Sequence, residues 1–161
     1  MNVTAVRVYD VETIEAIMKR PDIWATIAED GFDINDYHPD PINECWLLMV
    51  SDTNDIVGVY RYHSLNAVTV KIHANVLPEH RTQYSKDSGM AALDWLYNNA
   101  KGYNKVVAEI PVIYDNVKKF TCSFGFKVEG INRMSYLKNG AIVDQWHLGI
   151  TREEMGALLD E

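Results

Sequence analysis

Hydrophobic and polar residues alternate along residues 68–76, and a helical spacing of apolar residues follows shortly afterwards. The apolar positions are Val68, Val70, Ile72 and Ala74, and the polar ones are Thr69, Lys71, His73 and Asn75. A period of two predicts a strand with one apolar and one polar face. Residues 85–88 then predict a helix start, and the helix should end near Asn99. The start of this helix predicts an anion site, although an ordinary strand-loop-helix crossover is the alternative.

Similar patterns predict the rest of the fold. Strand-like runs occupy residues 3–8, 45–50, 56–63, 105–110, 128–137 and 141–150, and helical spacing occupies residues 11–18, 23–28, 114–124 and 152–159. A turn at residues 51–55 predicts one hairpin, and the Asn139-Gly140 pair predicts another. The order of elements predicts an α/β (α+β) fold, in which helices flank a mixed, mostly antiparallel sheet of about six or seven strands.

The composition indicates one globular domain over residues 1–161. The formal net charge of -8 argues against nucleic-acid binding, because phosphate contacts need clustered Lys and Arg. No apolar run reaches the roughly 20 residues of a membrane span, and the first residues do not resemble a signal peptide, so we expect a cytoplasmic protein without a membrane partner. Cys45 and Cys122 lack metal-ligand spacing, and we expect no metal and two reduced thiols.

The acidity is concentrated in one segment. Residues 28–44 carry six carboxylates and no Lys or Arg. Such a run is either a solvated loop or a negative rim that attracts a cationic partner or substrate.

Three local motifs, together with the order of elements, resemble the GCN5-related N-acetyltransferase (GNAT) superfamily over nearly the whole chain. Residues 76–81, VLPEHR, are similar to the V-x-P-E-x-R segment that leads into the family's pyrophosphate loop, and residues 125–130, GFKVEG, are similar to its GF-x-x-EG motif. Residues 133–154 resemble the C-terminal hairpin of the branch that includes ribosomal-protein alanine acetyltransferases. The resemblance implies a GNAT-like sheet that splays between strands 4 and 5, and acetyl-coenzyme A (acetyl-CoA) as co-substrate.

By the same resemblance, backbone amides at the start of the central helix hold the pyrophosphate of the coenzyme, and the splay holds its pantetheine. The residues implied in coenzyme binding are Val76, Arg81, Ser85, Lys86, Ser88, Gly89, Asn116 and Phe120. The loop departs from the family's Q/R-x-x-G-x-G/A pattern, because neither register of the pattern supplies both glycines. The hydroxyls of Ser85 and Ser88 and the charge of Lys86 could compensate in part.

The resemblance also implies a general base that takes the proton of the attacking amine and an acid that reprotonates the coenzyme thiolate. His73 is the leading base because an imidazole pKa of about 6.5 suits the task at neutral pH, and a structural role is its alternative. Glu109 on the fifth strand is a second candidate, and Glu79 is a weaker one. Thr121 stands where many members of the family have the acidic Tyr, and Tyr114 lies one helical stretch earlier.

The acceptor pocket implied by the family lies beside the acidic segment. Its candidate residues are Trp24, Asp36, Tyr37 and Trp46, although aromatic residues near a first helix also suit a core. We expect the acceptor to be a cationic small molecule or a protein or peptide amine.

The competing hypothesis is a GNAT-fold structural or interaction protein that has lost catalysis. The motifs also look like small GNAT-like proteins of tailed bacteriophages, which adds a role in the virion or in the host cytoplasm, and the hairpin edge suits a homodimer.

Overall fold

The computed structural model describes residues Met1–Glu161 and contains one seven-stranded sheet in the order β1-β2-β3-β4-β5-β7-β6. The strands are β1 Val3–Val8, β2 Cys45–Ser51, β3 Ile56–Ser64, β4 Thr69–Val76, β5 Lys105–Pro111, β6 Lys127–Lys138 and β7 Ala141–Thr151. The helices are α1 Val11–Met18, α2 Pro21–Ile27, α3 Arg81–Asn99, α4 Asp115–Cys122 and α5 Arg152–Leu159. Only the β4–β5 pair is parallel. The predicted mixed, mostly antiparallel sheet flanked by helices is therefore confirmed.

Strand alternation divides the apolar side chains between two cores on opposite faces of the sheet. Val70, Val106 and Ile150 face α3 and α5 in the larger core, where Leu93 of α3 is almost fully buried. The smaller core packs α1 and α2 against Trp46 and its neighbours. On this second face the middle strands carry polar side chains, so the face can hold both a core and a polar site.

The sheet opens between β4 and β5. The two strands pair only through residues 69–71 and 105–107, and no ladder continues beyond them. Each strand keeps its other partner, because β4 pairs with β3 as far as Val76 and β5 pairs with β7 as far as Pro111. The predicted splay between strands 4 and 5 is therefore confirmed, and the facing backbone edges along it are unpaired.

The start of the central helix differs from the prediction. Helix α3 begins at Arg81, directly after a 3-10 turn at Pro78–His80, and not at residues 85–88. The early start is favoured because it places Tyr84 in the larger core, where that side chain is only 5% exposed. Residues 85–88 consequently lie within the helix, so the predicted anion site at their amides is wrong.

The C-terminal hairpin has the predicted turn. Asn139 and Gly140 have φ angles of 53° and 76°, and two positive values define the tight turn that the Asn-Gly pair favours. Strand β6 forms one edge of the sheet, opposite the β1 edge, and is exposed over most of its length. None of the helices is both long and apolar enough to cross a membrane.

Candidate active site

A cavity of about 1320 Å³ lies at the β4–β5 gap. Consecutive residues 71–76 of β4 and 108–111 of β5 line it, and successive side chains of a strand point to opposite faces. The cavity therefore reaches through the sheet, from the α3–α4 layer to the layer that contains α1 and α2. Pockets for one drug-sized ligand measure roughly 300–1,000 Å³, so this cavity exceeds the size typical of a site for a single small ligand.

One stripe of α3 forms the wall on the larger-core side. Arg81, Ser85, Gly89 and Leu93 are spaced four residues apart and all line the cavity. The Nε of Arg81 donates to the carbonyl of Val76 at 3.0 Å, which fixes the first turn of α3 to the end of β4. The wall is lined by small side chains at its middle and is compatible with an extended ligand running along the gap.

The other predicted coenzyme residues divide between the cavity and the rest of the fold. Asn116 and Phe120 of α4 line the cavity opposite α3. Lys86 is exposed on another face of α3, and Ser88 is fully buried in the helix packing, so neither lines the cavity. The compensation expected from Lys86 and Ser88 is therefore not available from these positions.

His73 lines the cavity, but its surroundings do not suit a general base. Burial lowers its pKa to about 2, and the neighbouring charges of Arg61 and Lys71 act in the same direction. Its ring stacks on that of His63, with a centroid separation of 5.1 Å. A group with this pKa is neutral at pH 7 but binds a proton too weakly to accept one from an amine. Burial and neighbouring charge thus move the pKa of His73 below the ordinary imidazole value expected from the sequence, while its role as a base stays a prediction.

Glu109 is the carboxylate best placed at the gap. Its Oε2 accepts from Lys71 Nζ at 3.0 Å, and its Oε1 lies 3.8 Å from His147 Nδ1. The side chain is 26% exposed and lines the cavity. Glu79, by contrast, pairs with Arg20 at 2.8 Å outside the cavity.

Two phenols line the cavity near α4. Tyr114 immediately precedes α4, and Tyr136 reaches the cavity from β6. Burial raises the pKa of Tyr136 to about 12, and the nearby acidic groups Tyr114, Glu29 and Asp30 add to the shift. Thr121 donates its hydroxyl hydrogen to the Val117 carbonyl at 2.8 Å. The hydroxyl hydrogen of Thr121 is therefore engaged within α4.

The predicted acceptor residues form an aromatic wall on the α1–α2 side. Trp24 and Tyr37 meet edge to face at 5.5 Å, and Trp46 is fully buried beside the cavity. Asp36 is exposed and lies outside the cavity. Arg61 is a residue that the sequence analysis missed: it pairs with Glu44 at 3.1 Å, and its guanidinium carbon lies 5.6 Å from the centroid of the Trp46 ring.

The acidic segment is largely engaged within the protein. Asp33 caps the 3-10 turn at Ile34–Asp36, Asp40 accepts from backbone amides of its own loop, and Glu44 pairs with Arg61. Glu29 and Asp30 accept from the backbone of the β6–β7 hairpin. Five of its six carboxylates therefore have partners in the fold, and Glu44 is the one that pairs with a cation.

Nothing in the structure groups three or more His, Cys, Asp or Glu side chains in a way that could hold a metal ion, and both cysteines are free thiols.

Comparison with known proteins identifies the family. Residues 6–160 match the profile of a family described as "Protein of unknown function (DUF2824)". The chain belongs to the DUF2824 family. A search of curated proteins by sequence finds no match.

Solved structures show which fold this DUF2824 chain shares. A spermidine N-acetyltransferase from Vibrio cholerae, in complex with CoA and spermine, is similar with a TM-score of 0.80 at 14% identity, over 96% of this chain and 98% of that one. A chimera of the Vibrio cholerae enzyme SpeG and hSSAT gives a TM-score of 0.78 at 16% identity, with the same coverage. The DUF2824 chain therefore has the GNAT fold that its motifs predicted.

Proposed function

We propose that this protein is an acetyl-CoA-dependent N-acetyltransferase that acts on a primary amine. The observation that carries the proposal is the cavity that passes through the sheet at the β4–β5 gap. Acetyl transfer needs two substrates held in contact, and a passage between two layers lets one enter from each side. The similar solved structures are of spermidine N-acetyltransferases, one of them in complex with CoA and spermine, and this likeness supports the same class of reaction.

The residues present suit the coenzyme. Unpaired backbone edges of β4 and β5 offer hydrogen bonds to an extended amide-containing chain, as an exposed strand edge does to a peptide. Arg81 lines the cavity at the first turn of α3, where the positive end of the helix dipole favours phosphate. Phe120 and Asn116 supply apolar and polar contacts from α4. When bound, acetyl-CoA supplies the thioester carbonyl carbon that the amine attacks.

Glu109 and Tyr114 are the proposed proton-transfer residues. The carboxylate of Glu109 takes the proton that the amine nitrogen loses as its bond to the acetyl carbon forms. The carbon–sulfur bond breaks in the same reaction, and the phenol of Tyr114 gives a proton to the departing sulfur. Lys71 holds Glu109 at the gap through the 3.0 Å contact, and Tyr136 provides a second phenol beside Tyr114. His73 stays neutral and shapes the wall.

Coenzyme binding tests the proposal directly. Acetyl-CoA at 100 times its Kd should stabilise the fold by about 2.7 kcal/mol in a thermal melt. Ser85→Phe should abolish the shift by filling the cavity, whereas Lys86→Phe, on an exposed face of the same helix, should leave it unchanged. Incubation with acetyl-CoA and a primary amine should then release free coenzyme thiol. The absence of a shift at millimolar acetyl-CoA would contradict the proposal.

A non-catalytic GNAT-fold interaction protein is the second candidate. The observation that favours it is β6, a 12-residue edge strand that is exposed over most of its length. An exposed strand edge is a template for pairing with another chain, including a second copy. Unchanged melting with acetyl-CoA, together with dimers in solution, would favour this candidate. A role in a bacteriophage virion or on a host protein stays a prediction.

A further inference from the structure

The charges around the acceptor side of the cavity define the kind of amine that fits, given the N-acetyltransferase function proposed above. Three carboxylates line the cavity: Glu29, Glu109 and Asp115. Glu29 accepts from the Leu137 amide at 3.1 Å, and the other two pair with lysines at 3.0 and 2.9 Å. A second ammonium group would therefore compete with a lysine for Glu109 or Asp115, and at Glu29 it would meet a carboxylate whose one bond is to a backbone amide.

The aromatic wall is similarly engaged. A ring face of tryptophan can hold a cation, but the guanidinium of Arg61 already lies 5.6 Å from the centroid of Trp46. Arg61 itself lines the cavity and is bound to Glu44 at 3.1 Å, which holds the guanidinium in place. A second cation at this wall would have to displace the Arg61 guanidinium from the Trp46 ring or from Glu44.

The remaining hydrogen-bonding groups of the wall are uncharged. Tyr37 Oη, Trp46 Nε1 and His73 Nε2 are buried and have no hydrogen-bond partner within the protein, and all three side chains line the cavity. Buried polar atoms are nearly always paired, so these three suit a ligand that carries a neutral polar group such as a hydroxyl or a carbonyl. Burial, followed by the charges of Arg61 and Lys71, lowers the pKa of His73, which agrees with a region that disfavours positive charge.

We infer that the acceptor is a primary amine whose body beyond the reacting nitrogen is uncharged, and that the Arg61–Glu44 pair excludes polyamines from the pocket. This specificity differs from that suggested by the similar solved structure that contains spermine. The reacting amine reaches Glu109 at the gap, while its neutral body lies along Trp24, Tyr37 and Trp46. Arg61 is thus a specificity-determining residue rather than a catalytic one.

Two amines of nearly equal shape test the inference. n-Hexylamine ends in a methyl group where 1,5-diaminopentane ends in an ammonium group. Calorimetric titration of the full chain in saturating coenzyme A should give at least about tenfold tighter binding of n-hexylamine, since one uncompensated cation near Arg61 costs about 1.4 kcal/mol or more. Spermidine should bind no more tightly than the diamine. If acetyl transfer occurs, kcat/KM should follow the same order.

Variants of Arg61 test whether this residue causes the preference for n-hexylamine over the diamine. Arg61→Gln leaves the Glu44 carboxylate without its partner, so the preference for n-hexylamine should disappear or reverse, whereas Arg61→Lys should retain it. Arg20→Gln removes the same charge from an ion pair outside the cavity and should leave the preference unchanged. Melting curves would verify that each variant is folded.

Wild-type protein that binds the diamine or spermidine as tightly as n-hexylamine, or that binds none of the three at 10 mM, would overturn the inference. A protein that prefers n-hexylamine but transfers no acetyl group would contradict the proposed function and leave the pocket specificity standing. A protein that transfers acetyl groups equally well to both amines would support the proposed function and contradict the pocket specificity.

Discussion

The ring of Phe124 packs directly against the backbone of Gly89. A β-carbon built on Gly89 would lie 2.6 Å from Cζ of that ring, well inside van der Waals contact. Both residues line the cavity, and Phe124 is 5% exposed. Gly89 therefore lets the segment after α4 approach α3 closely, and this contact forms part of the cavity wall.

Gly89→Ala should destabilise the protein. The added methyl group overpacks the contact at a cost of roughly 1–3 kcal/mol, while the helix propensity of alanine recovers about 1 kcal/mol. We expect a net loss of about 1 kcal/mol in the free energy of unfolding, measured by urea denaturation. In a Phe124→Leu background, which removes the obstructing ring, the same change should be neutral or stabilising. Equal effects of Gly89→Ala in both backgrounds would show that the ring contact is not the cause.

The fold was predictable from sequence where periodicity and turn chemistry were strong. The alternation at residues 69–76 and the Asn139-Gly140 turn both specify local geometry without help from distant residues. The start of α3 was not predictable in this way, because small polar residues at 85–88 resemble a helix cap. The burial of Tyr84, a tertiary contact, determines the earlier start at Arg81.

His73 should lower the free energy of unfolding as the pH falls below about 6.5, at pH values higher than those at which carboxylates titrate. Its folded pKa of about 2 lies below its ordinary value of 6.5, so below pH 6.5 the unfolded chain binds a proton that the native state excludes. The contribution is fully present above pH 6.5 and is lost as pH falls. Between pH 6 and 5 the unfolding free energy of wild-type protein should decrease by up to about 1.4 kcal/mol per pH unit more than that of His73→Gln.

A second histidine and an independent measurement check this account. His63 also has a pKa lowered by burial, so His73→Gln should retain a smaller slope of the same sign. NMR titration of the imidazole signals gives an independent measurement. A His73 signal that titrates near pH 6.5 would contradict the account.

The candidate site was only partly predictable, because sequence gives the face of a strand but not the partner of a charge. Alternation placed His73 on the polar face, yet its pKa depends first on its burial and then on Arg61 and Lys71 from the sheet around it. Arg61 lies opposite His73 in the β3–β4 register, and pairing the two predicted strands could have revealed it. The engagement of Glu44 with Arg61 had no signal in the sequence.

Glu109→Gln should reduce acetyl transfer much more than coenzyme binding. Glutamine keeps the shape of the side chain and an acceptor for Lys71 but cannot take a proton, so kcat should fall by about 100-fold or more. Glu129→Gln is the matched control, because Glu129 pairs with Lys105 at 2.7 Å and does not line the cavity. It should keep wild-type kcat. The kcat of His73→Gln should stay within about tenfold of the wild-type value. A loss of kcat equal to that of Glu109→Gln would instead assign the role of base to His73.

The tip of the β6–β7 hairpin is attached to the residues after α2, and this attachment closes the acceptor side of the cavity. The carboxylate of Asp30 accepts from the amides of Asn139 and Gly140 at 3.0 and 2.7 Å, and Lys138 Nζ donates to the Ala28 carbonyl at 2.6 Å. Ala28 and Glu29 line the cavity directly beside these contacts. Releasing the hairpin should therefore loosen the acceptor wall without touching the coenzyme wall on α3.

Asp30→Ala should accelerate hydrogen exchange at the amides of Asn139 and Gly140, because both lose their acceptor, while amides of β5 keep their protection. The same amides hold the pKa of Asp30 below its ordinary value, with the Gly140 bond the larger cause. The attachment is therefore present above the ordinary carboxyl pKa of 3.8 and is lost as pH falls below it. Asp36→Ala, in the same acidic segment but outside these contacts, should change neither exchange rate. Unaltered exchange at Gly140 in Asp30→Ala would mean that the turn is held by its own geometry. Coenzyme binding should be equal in the wild type, Asp30→Ala and Asp36→Ala.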